Sequence, residues 1–213
     1  MDIMLKVFPL MMKASGTTLS VFFLTLILSM PLGLLLTIVS RTKIKPVKWA
    51  IDLFVLIMRG TPLVLQLIFF YFGLNNGLGI RINRFPAIIL TFTLNYSAYF
   101  SEIFRGGMQS VSKGQYEASY VLGLTNKETL RYIIIPQVFK IVLPSITNEI
   151  VTLVKDTAIV SFIAQQDILK VAMSSMNTYV SIYPLILAFI VYLVFNSIVS
   201  KIMTIIEKRY SYY

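Results

Sequence analysis

The sequence predicts an all-α membrane protein with five transmembrane helices, and three observations carry that prediction. Hydrophobic residues make up 57% of the 213, charged residues only 13%, and the mean hydropathy is +0.79. Few charges over long apolar runs mean that the solvent around most of this chain is lipid. Five segments, about 18–40, 50–74, 85–105, 132–155 and 183–206, meet or approach the length needed to cross a bilayer. A hydrocarbon core of about 30 Å takes about 20 helical residues at 1.5 Å each. The third observation is charge placement: basic residues gather at Arg41-Lys43-Lys45-Lys48, between Arg105 and Arg131, and at Lys201, Lys208 and Arg209.

The first segment, Thr18 to Val39, exceeds a signal-peptide core, is followed by its positive cluster and has no small-residue cleavage site. It reads as a retained span with residues 1–17 as an external N-terminal segment. Lys and Arg stay on the cytoplasmic side of spans. That rule puts residues 41–48 inside and the loop from Asn75 to Arg84 outside. Residues 105–131 then return inside, and the tail at 208–213 is cytoplasmic. Arg81, Arg84 and Lys170 fall on the other side, so the rule acts here as a bias.

Two spans carry helix breakers. The second contains Arg59-Gly60-Thr61-Pro62, and the fourth contains Pro136 and Pro144 with Lys140, Asn148 and Glu149. Glycine weakens a helix and proline removes a backbone hydrogen bond. Interrupted helices persist at membrane depth only where protein or a water-filled cavity satisfies the freed groups. Both spans are therefore expected to face a protein interior or a path. The stretch from Asp156 to about Met176 is too polar to span and reads as an external helix or a shallow re-entrant piece. The pair Gly106-Gly107, after Arg105 at a span end, fits a turn.

The formal charge of +10 alone would suit nucleic acid, but its placement at span ends argues for membrane topology and no nucleic-acid partner. The chain has no histidine and no cysteine, which removes disulfides, thiolate nucleophiles and the usual zinc and copper sites. There is no phosphate-binding Gly-rich loop with Lys-Ser/Thr, so no cofactor is expected and any ATP use belongs to another chain. An enzyme is not expected.

Between the third and fourth spans lies a polar, turn-rich insertion: Gly114-Gln115, Glu117-Ala118-Ser119, Tyr120, Gly123, then Ile133-Ile134-Ile135-Pro136. Gly114, a short helix at Glu117–Leu122, Gly123 and Thr125-Asn126 make a helix-turn unit. Tyr116, Tyr120 and Leu124 recur at one-turn spacing beside Glu117 and give it an aromatic ridge. Such a helix suits a groove on a partner; tyrosines at headgroup level are the other use of the pattern.

The spacing resembles the EAA loop of ABC-importer permeases: Glu-Ala-Ala, three residues, Gly, nine residues, Ile-x-Leu-Pro. Ser119 and Ile135 depart from it in letter. Three further blocks resemble the polar amino-acid branch of that family. They are Arg59-Gly60-Thr61-Pro62-Leu63 into Gln66; Asn95-Tyr96-Ser97-Ala98-Tyr99 with Glu102, Arg105-Gly106-Gly107 and Gln109-Ser110; and Lys155-Asp156-Thr157 with Val160-Ser161 and Asp167. The resemblance implies the ABC type I importer permease architecture, with a transmembrane domain over 18–207 and a coupling loop at about 112–131. It implies ABC ATPase subunits docked at that loop, a second permease subunit (homodimer or heterodimer) and an extracytoplasmic solute-binding protein. The substrate implied is a polar amino acid, basic or glutamine-like, moved by alternating access across the cell membrane. The alternative reading is a channel or structural subunit that works without an ATPase, which co-purification with an ATPase through the loop would exclude.

For the substrate, the end of the fourth span is the candidate. On a continuous helix Glu149, Thr152 and Asp156 stand at i, i+3 and i+7 and share a face, the carboxylates about 10 Å apart along it. A charge deep in a membrane is costly by roughly 2.5–3.5 kcal/mol and normally faces a cavity or partner. An amino acid needs an anion for its ammonium and donors for its carboxylate; Glu149, Lys155, Asp156, Thr157 and Ser161 are the candidates, with Lys155 off the face of Asp156. The other use of Lys155 and Asp156 is to reach water at the outer interface. Asn95, Tyr99 and Glu102 share one face of the third span. Asn95 serves helix packing or substrate, Glu102 pairs with Arg105 at i+3, and Arg59 caps, gates or anchors.

Overall fold

The computed structural model describes residues 2–77 and 79–210. Helix α1 (Asp2–Ser40) leads, followed by α2 (Lys45–Gly60) and α3 (Leu63–Ile68). A π-helical stretch, Phe69–Gly77, precedes α4 (Arg84–Ser110), α5 (Lys113–Val121) and α6 (Asn126–Glu128). A second π-helical stretch, Thr129–Ile134, opens α7 (Ile135–Asp156), which tightens into a 3₁₀ turn, Thr157–Ile163. Helices α8 (Ile168–Tyr179) and α9 (Tyr183–Tyr210) close the described chain. No strand occurs among the described residues.

Among the described residues, three helical runs are long and apolar enough to cross a membrane: Ile3–Ser40, Asn126–Ile163 and Tyr183–Tyr210. A fourth crossing is added if α2 and the α3 segment, bent by 108° at their junction, form one broken span. The break falls at Thr61-Pro62, where the sequence places it. The other expected break is absent. Helix α7 passes through Pro144 unbroken, and Pro136 sits in its first turn, a position where proline is tolerated. The preceding π-helical stretch absorbs the change of register instead.

Helix α4 has the length of a span, 27 residues, but its composition is too polar to pass as one. Its position explains this. α4 is the central helix, packed on α1, α2 and α7, and it buries Thr91, Asn95, Ser97 and Ser101 against protein. α1 and α4 touch along their length through small residues: a Cβ added to Gly33 would lie 2.7 Å from Phe100 Cβ and 2.9 Å from the Ser97 carbonyl oxygen. Thr37 Oγ1 shares its proton between the Gly33 and Ser101 carbonyls, both at 2.9 Å. Close approach through glycine and interhelical hydroxyl bonds is how helices associate where lipid supplies no hydrophobic drive.

Gly106-Gly107 do not form the expected turn. α4 continues through them to Ser110, and a Cβ on Gly107 would stand 2.2 Å from Val142 Cγ1 of α7. The glycine serves a helix crossing.

Helix α1 is unbroken from Asp2, so residues 2–17 extend the helix of the first apolar run. At 39 residues it measures about 58 Å, well beyond a hydrocarbon core. Val7 and Met11 pack with Ile168, Ala172, Ala188 and Val191, so its first half is held by α8 and α9. α8, at 12 residues, is too short to cross, in keeping with the polar stretch read there. Buried Asp167 caps it, accepting from Lys170 N at 2.8 Å and Leu169 N at 3.3 Å. The tail at 208–213 is helical to Tyr210; its last three residues, Tyr213 among them, lie outside the described residues.

Candidate functional site

The break in the second span builds one wall of a cleft of about 330 Å³. Thr61, Pro62 and Leu63 line it from the break, Asn95, Tyr96 and Tyr99 from α4, and Glu149, Thr152, Asp156 and Ile159 from α7 and its extension. The three α7 residues meet there because the helix stays regular to Asp156. Tyr96 donates its hydroxyl proton to Asp156 Oδ2 at 2.8 Å, which fixes that carboxylate toward α4.

Asn95 lines the cleft while its amide is engaged in the frame. Its Nδ2 donates to Met58 O at 2.9 Å and Gln66 Oε1 at 3.0 Å. Gln66 Nε2 in turn donates to Met58 O, Thr61 O and Thr61 Oγ1, at 2.9, 3.1 and 2.8 Å. Carbonyls freed by the break are thereby satisfied by protein.

Three of the residues expected at the site stand elsewhere. Lys155 is exposed off the cleft face. Thr157 and Ser161 are buried in the 3₁₀ turn, donating to Val154 O at 2.7 Å and Ala158 O at 2.8 Å. The turn has three residues per turn, so the face that Glu149 and Asp156 define ends at its start.

A second cleft of about 360 Å³ adjoins the first, sharing Tyr99 and Glu149. Arg59, Glu102, Gly106, Gly107 and Ser145 also line it. Arg59 Nη1 lies 3.3 Å from Glu102 Oε2, and its guanidinium carbon sits 5.4 Å from the Tyr99 ring centroid. Arg105 grips the same carboxylate through Nε at 2.8 Å and Nη2 at 2.5 Å. Arg59 thus ties the last turn of α2 to α4. In the sequence Arg59 stood open between capping, gating and anchoring, and Tyr96 stood in a family-like block with no site role; its place one residue from Asn95 was the available signal. A larger groove of about 830 Å³ continues past Arg59 and Glu102 to Asp52, Lys48 and Arg41.

The turn-rich insertion forms α5 and α6. Gly114, Glu117 and Ala118 are exposed on α5, whereas Ser119 is buried and returns its hydroxyl proton to Gln115 O at 2.7 Å. Gly123 takes φ +74°, and the helix ends with Leu124 N donating to Ser119 O and Gly123 N to Tyr120 O. That paired closure needs a left-handed residue, which glycine adopts without strain. The expected ridge splits. Tyr116 packs on the core, while Tyr120 and Leu122, 83% and 75% exposed, stand out with Val121 as an apolar patch. Thr125 and Glu128 cap the next turn reciprocally, Thr125 N donating to Glu128 Oε2 at 2.8 Å.

A polar cleft walled by a broken helix in an apolar helical bundle, together with an exposed apolar loop elsewhere on the chain, points to a helical membrane transport component. The family model for the binding-protein-dependent transport system inner membrane component matches residues 29–212, and the chain belongs to that family. It is 36% identical over 202 residues to the arginine transport system permease protein ArtQ of Bacillus subtilis, covering 94% of this chain and 92% of that one. The putative glutamine transport system permease protein GlnP of Rickettsia bellii is 36% identical over 193 residues, covering 90% and 88%. Among solved structures, an amino acid ABC transporter superposes with a TM-score of 0.90 at 35% identity, covering 97% of this chain and 96% of that chain. The MetNI methionine ABC transporter shares the fold, with a TM-score of 0.76 at 16% identity over 95% of this chain and 97% of that one.

Proposed function

We propose that this chain is the permease subunit of an ATP-driven importer for polar amino acids, and that its substrate site is the cleft of Glu149, Thr152 and Asp156. The observation that carries the site is the convergence of two carboxylates on a cleft opened by a broken helix. Two negative groups without a basic residue on that lining favour a substrate with an additional cation, such as arginine, lysine or histidine. Relatives named for arginine and glutamine transport support an amino acid in that place.

Five crossings follow if α1, the bent α2–α3 pair, α4, the α7 run and α9 each span once. The positive clusters then face the cytoplasm, and residues 75–76 and the start of α1 lie outside. The chain pairs with a second permease subunit. ATPase subunits, which hold the hydrolytic activity, dock on the loop at 112–131 through the Tyr120–Leu122 patch and Glu117, and an extracytoplasmic solute-binding protein delivers the amino acid. ATP-driven closure of the ATPases moves the loops and turns the paired clefts from one side to the other.

The test is uptake of labelled arginine, lysine, glutamine, cystine and glutamate by the reconstituted complex, with Glu149→Gln compared with wild type. Loss of the cationic substrates with the neutral ones spared is expected. Unchanged transport of all five in the variant removes Glu149 from the site.

A further inference from the structure

An amino acid held at Glu149 and Asp156 by its cations still needs a partner for its carboxylate, and the residues expected from sequence turn away from the cleft. Lys155 is exposed off the cleft, and the hydroxyls of Thr157 and Ser161 are bonded within their own turn. The joined clefts have one cation on their lining, Arg59, against Glu102, Glu149 and Asp156.

We propose, on the reading of this chain as an amino-acid permease, that Arg59 recognises the substrate carboxylate and sets the requirement for an amino acid over the corresponding amine. Its position fits. Arg59 shares the 360 Å³ cleft with Tyr99 and Glu149, and both of those also line the cleft of Asp156. A substrate lying across the junction meets a guanidinium at one end and carboxylates at the other. Its valence fits as well. Glu102 is gripped through two nitrogens by Arg105, so Arg59 holds one oxygen at 3.3 Å as a secondary partner. A guanidinium has five N–H donors in a rigid fork, matched to a carboxylate. The remaining donors of Arg59 meet no other acceptor among the described residues. The Tyr99 ring beneath the guanidinium, 5.4 Å from its carbon, steadies that fork without consuming a donor.

The test is equilibrium binding to the intact permease–ATPase complex in lipid nanodiscs, with no solute-binding protein present, so that its selectivity does not enter. Labelled arginine, lysine, histidine, glutamine and cystine identify the amino acid bound most tightly by wild type. That amino acid and its decarboxylated amine (agmatine for arginine) then compete in wild type, Arg59→Gln and Arg59→Lys. Wild type is expected to prefer the amino acid by about 10- to 100-fold, the range of a charged hydrogen-bonded contact. In Arg59→Gln the preference falls to near unity, and in Arg59→Lys it is intermediate. If Arg59 only braces α2 on α4, both ligands weaken together and the ratio stays, which overturns the proposal while the transport reading stands. Should Arg59→Gln fail to assemble with the ATPase, the Arg59→Lys ratio decides alone: a reduced ratio supports the assignment and an unchanged one refutes it. Binding of none of the five by wild type overturns the amino-acid reading, and this inference with it.

Discussion

Replacing Gly33 with alanine sets a methyl group against the backbone of α4. The new Cβ would lie 2.7 Å from Phe100 Cβ, 2.9 Å from Ser97 O and 3.0 Å from Ser101 N, none of which can rotate away. Carbon contacts settle at about 3.5 Å, so the two helices must part by roughly 0.5–1 Å. That stretches the bond from Thr37 Oγ1 to Ser101 O, now 2.9 Å, beyond hydrogen-bonding range. Overpacking of this kind is destabilising by about 1–3 kcal/mol, and the better helix propensity of alanine returns up to about 1 kcal/mol. The interhelical hydroxyl bond adds about 0.6 kcal/mol. The net expectation is about 1–3 kcal/mol, read as the midpoint of denaturant unfolding of the purified protein, with Trp49 as the fluorophore. Thr37→Val should weaken the wild type and have a smaller effect on Gly33→Ala, because the bond it removes is already broken there. An unshifted midpoint for Gly33→Ala, or equal effects of Thr37→Val in both backgrounds, refutes the account of this crossing.

Other predictions concern the loop and the topology. Gly123→Pro and Glu117→Lys should leave the protein inserted yet reduce ATPase retention and stimulated hydrolysis, since the first breaks the left-handed closure and the second reverses an exposed charge; full transport in both sinks the docking assignment. The Glu128 carboxyl is held below the usual range chiefly by the hydrogen bond from the Thr125 side chain, then by that from its backbone N–H. A depressed folded value means the cap is intact above the unfolded carboxylate range and is lost as pH falls through the lowered value, so amide exchange over 125–131 should quicken on acidification and become less pH-sensitive in Glu128→Gln. Single cysteines at 45 and 127 should resist an impermeant thiol reagent in intact cells while those at 75 and 76 react, in a chain with no cysteine of its own. Labelling of position 45 from outside would overturn the orientation.

The long apolar runs of α1, α7 and α9 and the break at Gly60-Thr61-Pro62 were readable from sequence because apolar length and backbone chemistry act locally. The face shared by Glu149, Thr152 and Asp156 was readable for the same reason, a regular helical period. Past Asp156 the period shortens to that of a 3₁₀ turn, and extrapolating the α-helical face to Thr157 and Ser161 fails there. Gly107 shows a different limit. A glycine pair at a span end has the same letters whether it turns the chain or admits a neighbour, and the neighbour, Val142, is on another helix. Pro144 left a break or a plain kink open in the sequence; its outward position on α7 leaves the buried face of Val142, Leu143, Ile146 and Thr147 continuous.

The polarity of α4 and the bend in the second span belong to one arrangement. A break at membrane depth frees carbonyl groups that lipid cannot satisfy. Here Gln66 and Asn95 direct their amide donors at Met58 O and Thr61, so the neighbouring helix must carry a buried asparagine at that level. A helix that does so is too polar to face lipid and is stable only when wrapped, which is where α4 sits, between α1, α2 and α7. Wrapping it brings Tyr96 and Tyr99 alongside Glu149 and Asp156, so the helix whose Asn95 closes the break also supplies the cleft wall that meets the carboxylates. Asn95 therefore shapes the cleft through the frame: changing it to leucine removes the donors to Met58 O and Gln66 Oε1, and the wall at Thr61-Pro62 is left held to the frame by Gln66 alone before any ligand arrives.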